Sequence, residues 1–152
     1  MTPDAIVDAI RKSPRFWGEK PLPPEGLPAE LAFPSDFREL VRAGYGVLSA
    51  GLKTVKVLPL VDVLRENSTY YLPLVDAGFV VLTTDFSGDA IAWDTRSSRV
   101  VAVDHTLVGG LERRNHQWIT EDGEPFDPRT EEDALRELAP TFHALLEREL
   151  AD

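Results

Sequence analysis

Cysteine is absent from the 152-residue chain, and its absence removes several classes of chemistry at once. The protein can form no disulfide, has no thiol nucleophile and has no thiolate ligand for zinc. No apolar run reaches the roughly 20 residues that cross a bilayer, and the first residues lack a basic stretch that leads into an apolar one. We therefore expect a cytoplasmic protein with no role in a membrane.

Positive charge is also scarce, because 16 lysines and arginines stand against 26 aspartates and glutamates, for a formal net charge of −10. A domain that binds nucleic acid normally carries the opposite excess, so nucleic acid is not expected as a partner. From residue 121 onward there are 11 acidic and 3 basic side chains, a net charge of −8. Such a segment attracts basic proteins, and the competing interpretation is a solvated surface that only keeps the protein soluble.

The common catalytic and nucleotide-binding motifs are missing as well. No serine lies in a G-x-S-x-G turn, no G-x-x-x-x-G-K-[ST] loop occurs, and Gly44-Tyr45-Gly46 lacks the third glycine of a dinucleotide loop. The histidines, His105, His116 and His143, are too scattered for a paired zinc motif. We therefore expect no catalytic residue, no cofactor and no metal.

The apolar and turn residues predict a single domain over residues 1–152, of the α+β class, with a mainly antiparallel sheet and helices packed around it. Thr2 as N-cap and Pro3 at the first position begin a helix. Residues 1–26 comprise this helix and a proline-rich connector that packs on the domain. Ser35 caps a second helix that ends at a left-handed Gly44, and Pro59 begins a further helical segment.

The strongest strand signal lies between residues 70 and 104. Four apolar runs, at 70–72, 79–84, 90–93 and 100–103, are separated by turns too short for helical crossovers. This spacing predicts an antiparallel meander in which Ile91 and Trp93 face the helices. Residues 107–126 predict a loop with one short strand.

The end of the chain predicts helix. Thr130 to Asp133 resemble a capping box, and Leu135, Leu138 and Phe142 continue at helical spacing. Pro140 interrupts this stripe, which predicts either one kinked helix or two helices, the second with Pro140 in its first turn.

Several residues are candidates for chemistry or binding, each with a structural alternative. Asp104-His105 ends a strand, where it could serve an enzyme together with the carboxylates near Asp89, or simply meet solvent. Asp85 and Asp89 flank a turn, where aspartate commonly bonds the local backbone. Trp118 lies beside acidic residues and could anchor a basic partner, or it could pin its loop to the sheet.

Six segments between residues 27 and 150 are informative through their order. They are Leu27-Pro28 with Phe37–Leu40 and Gly44–Gly46, then Leu58–Val63, Leu72–Asp76, Gly88–Asp94, Val100–His105 and Ala139–Leu146. In this order they resemble the SUKH superfamily, which includes bacterial toxin-immunity proteins and the fungal SMI/KNR-type cell-wall regulators.

The resemblance implies an α+β fold and a binding module rather than an enzyme. Bacterial members of that family neutralise toxins, many of them nucleases, by binding them. The surface of a nuclease is built to hold phosphate, and carboxylates can occupy such a basic cleft. We therefore expect an immunity protein whose partner is a basic toxin domain. The candidate binding residues are Trp118, Glu121, Asp122, Glu124, Asp127, Asp85 and Asp89.

Overall fold

The computed structural model describes residues 1–130 and 134–151 of the chain, which form an α+β domain. The elements in chain order are α1 Pro3–Arg11, β1 Phe16–Glu19, α2 Ser35–Arg42, β2 Leu48–Gly51, β3 Lys56–Val57, α3 Leu60–Ser68, α4 Leu72–Asp76, β4 Phe79–Thr84, β5 Ala90–Asp94, β6 Arg99–Val103, β7 Glu112–Arg114, β8 Gln117–Ile119, β9 Leu135–Ala139 and α5 Phe142–Leu150. Single 3-10 turns lie at Tyr45–Val47 and His105–Val108. No helix in these residues is both long and apolar enough to span a membrane.

The strands form three antiparallel sheets. One sheet has the order β1-β2-β3, a second has the order β4-β5-β6-β9, and β7 and β8 form a separate hairpin. The predicted meander is confirmed for its last three strands, because β4 pairs with β5 and β5 with β6 through short turns. An isolated bridge between Val55 and Asp85 joins the first two sheets.

Both faces of the four-stranded sheet are covered, because alternate residues of its strands belong to two different cores. Val80 and Leu82 belong to the larger core, which helices α1, α2 and α5 and the three-stranded sheet complete. Ile91 lies in this core and Trp93 packs against it half-buried, as predicted. Val81 belongs to the smaller core under α4 and the segment after β6.

The predicted helix starts and stops are mostly confirmed. Thr2 accepts a hydrogen bond from the backbone of Ala5 at 3.1 Å, and Pro3 is the first residue of α1. Gly44 follows α2 with a φ of 107°, a left-handed conformation that suits glycine. The prediction of Ser35 as the cap of α2 is wrong by one residue, since Pro34 is the N-cap and Ser35 is the first helical residue.

Two predictions of secondary structure are wrong. Residues 70–72 do not form a strand but lead into α4, because Pro73 lacks a backbone donor for a sheet and has the fixed φ of a first helical turn. Leu135–Ala139 is a strand rather than a helix, and it pairs with β6, whose edge would otherwise be unpaired. Pro140 ends this strand and precedes Thr141, the N-cap of α5, so it is not in the first turn.

Two further details complete the C-terminal third. The expected capping box at 130–133 falls on residues of which 131–133 lie outside the described ranges. Residues 107–126 contain two short strands, β7 and β8, where one was predicted. The hairpin they form presents the acidic residues that follow it.

Candidate functional site

A tight turn after β8 exposes three carboxylates, and we name it the acidic turn and define it as Glu121, Asp122, Gly123 and Glu124. Its backbone is held by two hydrogen bonds, from Gly123 N to Thr120 O at 2.9 Å and from Thr120 N to Glu124 O at 2.8 Å. All three carboxylates are exposed. Within residues 1–130 and 134–151, none of them lies within 4.0 Å of a basic group.

Trp118 lies next to the acidic turn and is fixed from two sides. Its indole Nε1 donates a 2.7 Å hydrogen bond to Asp76 Oδ2, at the end of α4, and the guanidinium of Arg113 lies 5.7 Å from the centre of the ring. The ring is half-buried and lines a cleft of about 190 Å³ together with Phe126 and Pro125. It therefore holds the hairpin against α4 and also leaves part of its surface open.

Asp127 and Asp85, two other candidates, organise their own turns. Asp127 Oδ1 accepts a hydrogen bond from the backbone of Arg129 at 3.0 Å. The buried carboxylate of Asp85 accepts from the backbone and hydroxyl of Ser87 at 3.0 and 2.8 Å, and from the backbone of Asp89 at 2.9 Å. Asp85 thus shapes the loop between β4 and β5, as turn chemistry predicts for aspartate.

Asp89, Asp104 and His105 are brought together by the hairpin of β5 and β6. Asp89 Oδ1 lies 2.8 Å from His105 Nδ1 and accepts from the His105 backbone at 3.1 Å. One ligand atom of each of the three residues lies within 4.8 Å of the others. Asp89 bonds both the ring and the backbone of His105, so these residues clamp the loop at 85–89 onto the 3-10 turn.

The clamp affects proton binding. The hydrogen bond from His105 to Asp89 raises the pKa of His105 above its ordinary value of 6.5. Asp104 caps the 3-10 turn, and its bonds from the backbone and hydroxyl of Thr106 lower the pKa of Asp104. The described cavities of about 450 and 190 Å³ are lined by other residues, so this cluster lies outside them.

Replacing Asp89 by asparagine should bring the pKa of His105 back toward 6.5, because the amide cannot stabilise the imidazolium as a carboxylate does. Protonated His105 holds the loop in the native protein, so this contribution is present below pH 6.5 and is lost as pH rises through the folded-state pKa. An NMR titration of the histidine ring protons measures the shift, with His143 as the internal control. An unchanged pKa of His105 would contradict the clamp.

The chain was compared with known proteins in three ways, and no family model, no curated protein and no solved structure matches it.

Proposed function

We propose that the protein is a protein-binding module that uses the acidic turn and Trp118 to bind a basic domain of another protein. In this proposal the partner is a bacterial toxin, such as a nuclease, and the protein is a cytoplasmic immunity protein of the SUKH type. The observation that supports it most directly is the acidic turn itself, where three exposed carboxylates without nearby basic groups in the described residues share one rigid backbone.

The physical reason is electrostatic. Carboxylates that no internal cation neutralises keep their full attraction for a basic surface, and they speed the diffusional encounter with it. Trp118 adds apolar contact at the edge of the turn, and its position is already fixed by Asp76, so binding costs it little rotamer entropy. The carboxylates of the acidic turn would thus raise the association rate, and the indole of Trp118 would lengthen the lifetime of the complex.

The alternative function, an enzyme that uses Asp89, Asp104 and His105, has weaker support. An active site normally gathers such groups in a cleft, and these residues lie outside the two described cavities. The His105 ring bonds Asp89, and none of the hydrogen bonds in the described residues joins that ring to a serine or threonine hydroxyl. The contacts of Asp89 with His105 are explained by a structural role, in which they hold the loop at 85–89.

The experiment starts with capture of the partner on the immobilised protein, followed by purification of that partner and measurement of association rates. The double variant Glu121→Lys, Asp122→Lys should associate about three- to tenfold more slowly at low salt, because it reverses two charges of the turn. The salt dependence of the rate should also weaken. The matched control is Glu25→Lys, Glu30→Lys, which makes the same change in net charge on two exposed connector residues.

The control decides how the result is understood. A clear effect of the first variant and a small effect of the control would support the acidic turn as the binding face. Equal slowing by both variants would mean that only the net charge acts. An unchanged rate at both salt concentrations would place the binding face elsewhere, with the loop at 85–89 as the next candidate.

A further inference from the structure

Two aromatic rings are exposed side by side at the joint between the two larger sheets, and we name this pair the aromatic ledge. Trp17 of β1 is 52% exposed and Phe86, in the loop after β4, is 42% exposed. Their ring centres are 6.4 Å apart in an edge-to-face arrangement of 87°. Gly51 lies beneath them, and a Cβ at that position would come within 2.9 Å of both rings. The bare backbone of Gly51 therefore lets the two rings lie where they do.

The aromatic ledge is bordered by positive charge. The guanidinium of Arg15 lies 4.7 Å from the centre of the Phe86 ring, and the ammonium of Lys56 lies 5.7 Å from it. Arg15 also donates a hydrogen bond to the carbonyl of Leu52, which fixes the direction of its side chain. A cation over an aromatic face is held by the ring quadrupole, so these charges are preorganised beside exposed apolar surface.

A cavity of about 450 Å³ lies next to the aromatic ledge, because Arg15 and Gly51, which lie against its rings, also line the cavity. Lys12 and Lys53 also line this cavity. In the described part of the chain, Lys12, Arg15, Lys53 and Lys56 form no salt bridge with a carboxylate. Three of these cations, Lys12, Arg15 and Lys53, line the cavity, and Lys56 lies beside Phe86. Glu149 also lines the cavity, and its carboxylate accepts hydrogen bonds from the backbone of Thr54 and Val55. This local group of cations contrasts with the net charge of −10 of the whole chain.

A role in stabilising the ends of helices would explain only some of the charges on this surface. Lys12 is the C-cap of α1, and the end of α5 reaches the same cavity through Leu150, so cations there compensate the carbonyl ends of both helices. Compensation of the helix ends does not explain why the rings of Trp17 and Phe86 are exposed to solvent. It also does not explain Lys56, which belongs to β3, lies near the Phe86 ring and does not line the cavity.

We propose that the aromatic ledge and this cavity form a binding surface for an acidic peptide segment of a partner protein. An apolar side chain of the peptide would pack on Trp17 and Phe86, and its carboxylates would pair with Arg15 and the neighbouring lysines. A short acidic peptide is favoured over a nucleic acid, because it brings fewer negative charges near the acidic remainder of the chain than an extended strand of phosphates does. The surface shares no residue with the acidic turn, so this site is separate from the proposed toxin-binding face.

The test uses a fluorescent synthetic peptide in which leucines alternate with pairs of glutamates, and the same peptide with glutamine in place of every glutamate. We expect saturable binding of the glutamate peptide to the full chain, measured by fluorescence anisotropy, and at least tenfold weaker binding of the glutamine peptide. Lys12→Gln with Lys53→Gln should weaken binding about three- to tenfold, and Phe86→Ala should weaken it by a similar factor.

The matched control is Arg96→Gln with Arg136→Gln, which removes two exposed positive charges that do not line the cavity. It should leave the affinity for the glutamate peptide within about twofold. Circular dichroism shows whether each variant is folded. The proposal is overturned if the glutamine peptide binds equally well, or if the control weakens binding as much as the lysine variant. It is also overturned if a single-stranded RNA or a second copy of the chain occupies the surface and the peptide does not.

Discussion

Replacing Arg129 by methionine should lower the free energy of unfolding by about 3–5 kcal/mol, because the change leaves a buried carboxylate without its cation. Arg129 Nη2 lies 2.6 Å from Asp94 Oδ1, and the two side chains are only 17% and 8% exposed. The same guanidinium donates to the carbonyl of Ala77 and lies 4.0 Å from the centre of the Phe79 ring. It therefore joins the segment after the hairpin to β5 and to the end of α4.

Urea unfolding of the wild type and the variant measures the loss. The control is Arg99→Met, which breaks the exposed ion pair of Arg99 with Glu137, and it should cost at most about 1 kcal/mol. A double-mutant cycle with Asp94→Asn separates the pair from the other bonds of Asp94, which accepts from the Arg96 backbone and from Ser97. An effect of Arg129→Met no larger than that of Arg99→Met would contradict the importance of this contact.

The same pair gives the protein a dependence on pH. Burial alone would raise the pKa of Asp94, but the hydrogen bonds from Arg129, Arg96 and Ser97 outweigh it and hold the pKa below the ordinary value of 3.8. A carboxyl group with a lowered folded-state pKa stabilises the fold above its unfolded-state pKa, and this contribution is lost as pH falls through the folded-state value. The Asp94→Asn variant should therefore lose less stability than the wild type when pH falls below 4.

Local chemistry in the sequence predicted the elements whose boundaries it marks. Thr2 and Pro3 can form a helix start, and Gly44 accepts the left-handed conformation that ends a helix, whatever packs around them. The turns between β4, β5 and β6 are too short to hold a helix, so antiparallel pairing was the only arrangement open to these strands. For these elements the sequence contained the information locally.

The segment Leu135–Ala139 shows where such information ends. Leu135 and Leu138 are three residues apart, as on a helix face, and alternation along the strand is weak. What makes the segment a strand is the open edge of β6, where Ala139 pairs with Val100 and Leu135 with Val103. The chain between β6 and β9 returns to that edge only in the folded protein, so periodicity within the segment could not reveal the pairing.

The candidate sites also differ in whether local sequence could predict them. The contact of Asp89 with His105 follows from the register of a short hairpin, since Ala90 pairs with Val103, and a careful alignment of the two strands could have found it. The aromatic ledge could not be predicted by aligning neighbouring strands. Trp17 and Phe86 belong to segments far apart in the chain, and they meet where the Val55–Asp85 bridge joins the two sheets.

Replacing Phe142 by alanine should lower the free energy of unfolding by about 3–5 kcal/mol, because it opens a cavity where three helical and turn segments meet. Phe142 is fully buried at the start of α5, with its ring centre 5.7 Å from that of Phe37 and 5.8 Å from that of Tyr45. Burial also raises the pKa of Tyr45, whose hydroxyl has no hydrogen-bond partner in the described residues. The rings around Phe142 are thus apolar except for the Tyr45 hydroxyl.

Phe86→Ala is the matched control for Phe142→Ala, because both variants replace a phenylalanine and the two residues differ in burial. Phe86 is exposed, so its removal should change the free energy of unfolding by less than about 1 kcal/mol while it weakens binding of the acidic peptide. Phe142→Ala should lower the free energy of unfolding but leave peptide binding unchanged at temperatures where the variant is still folded. Thermal unfolding and peptide anisotropy on both variants measure the four values. A loss of stability in Phe86→Ala as large as that in Phe142→Ala would mean that the exposed rings serve the fold rather than a partner.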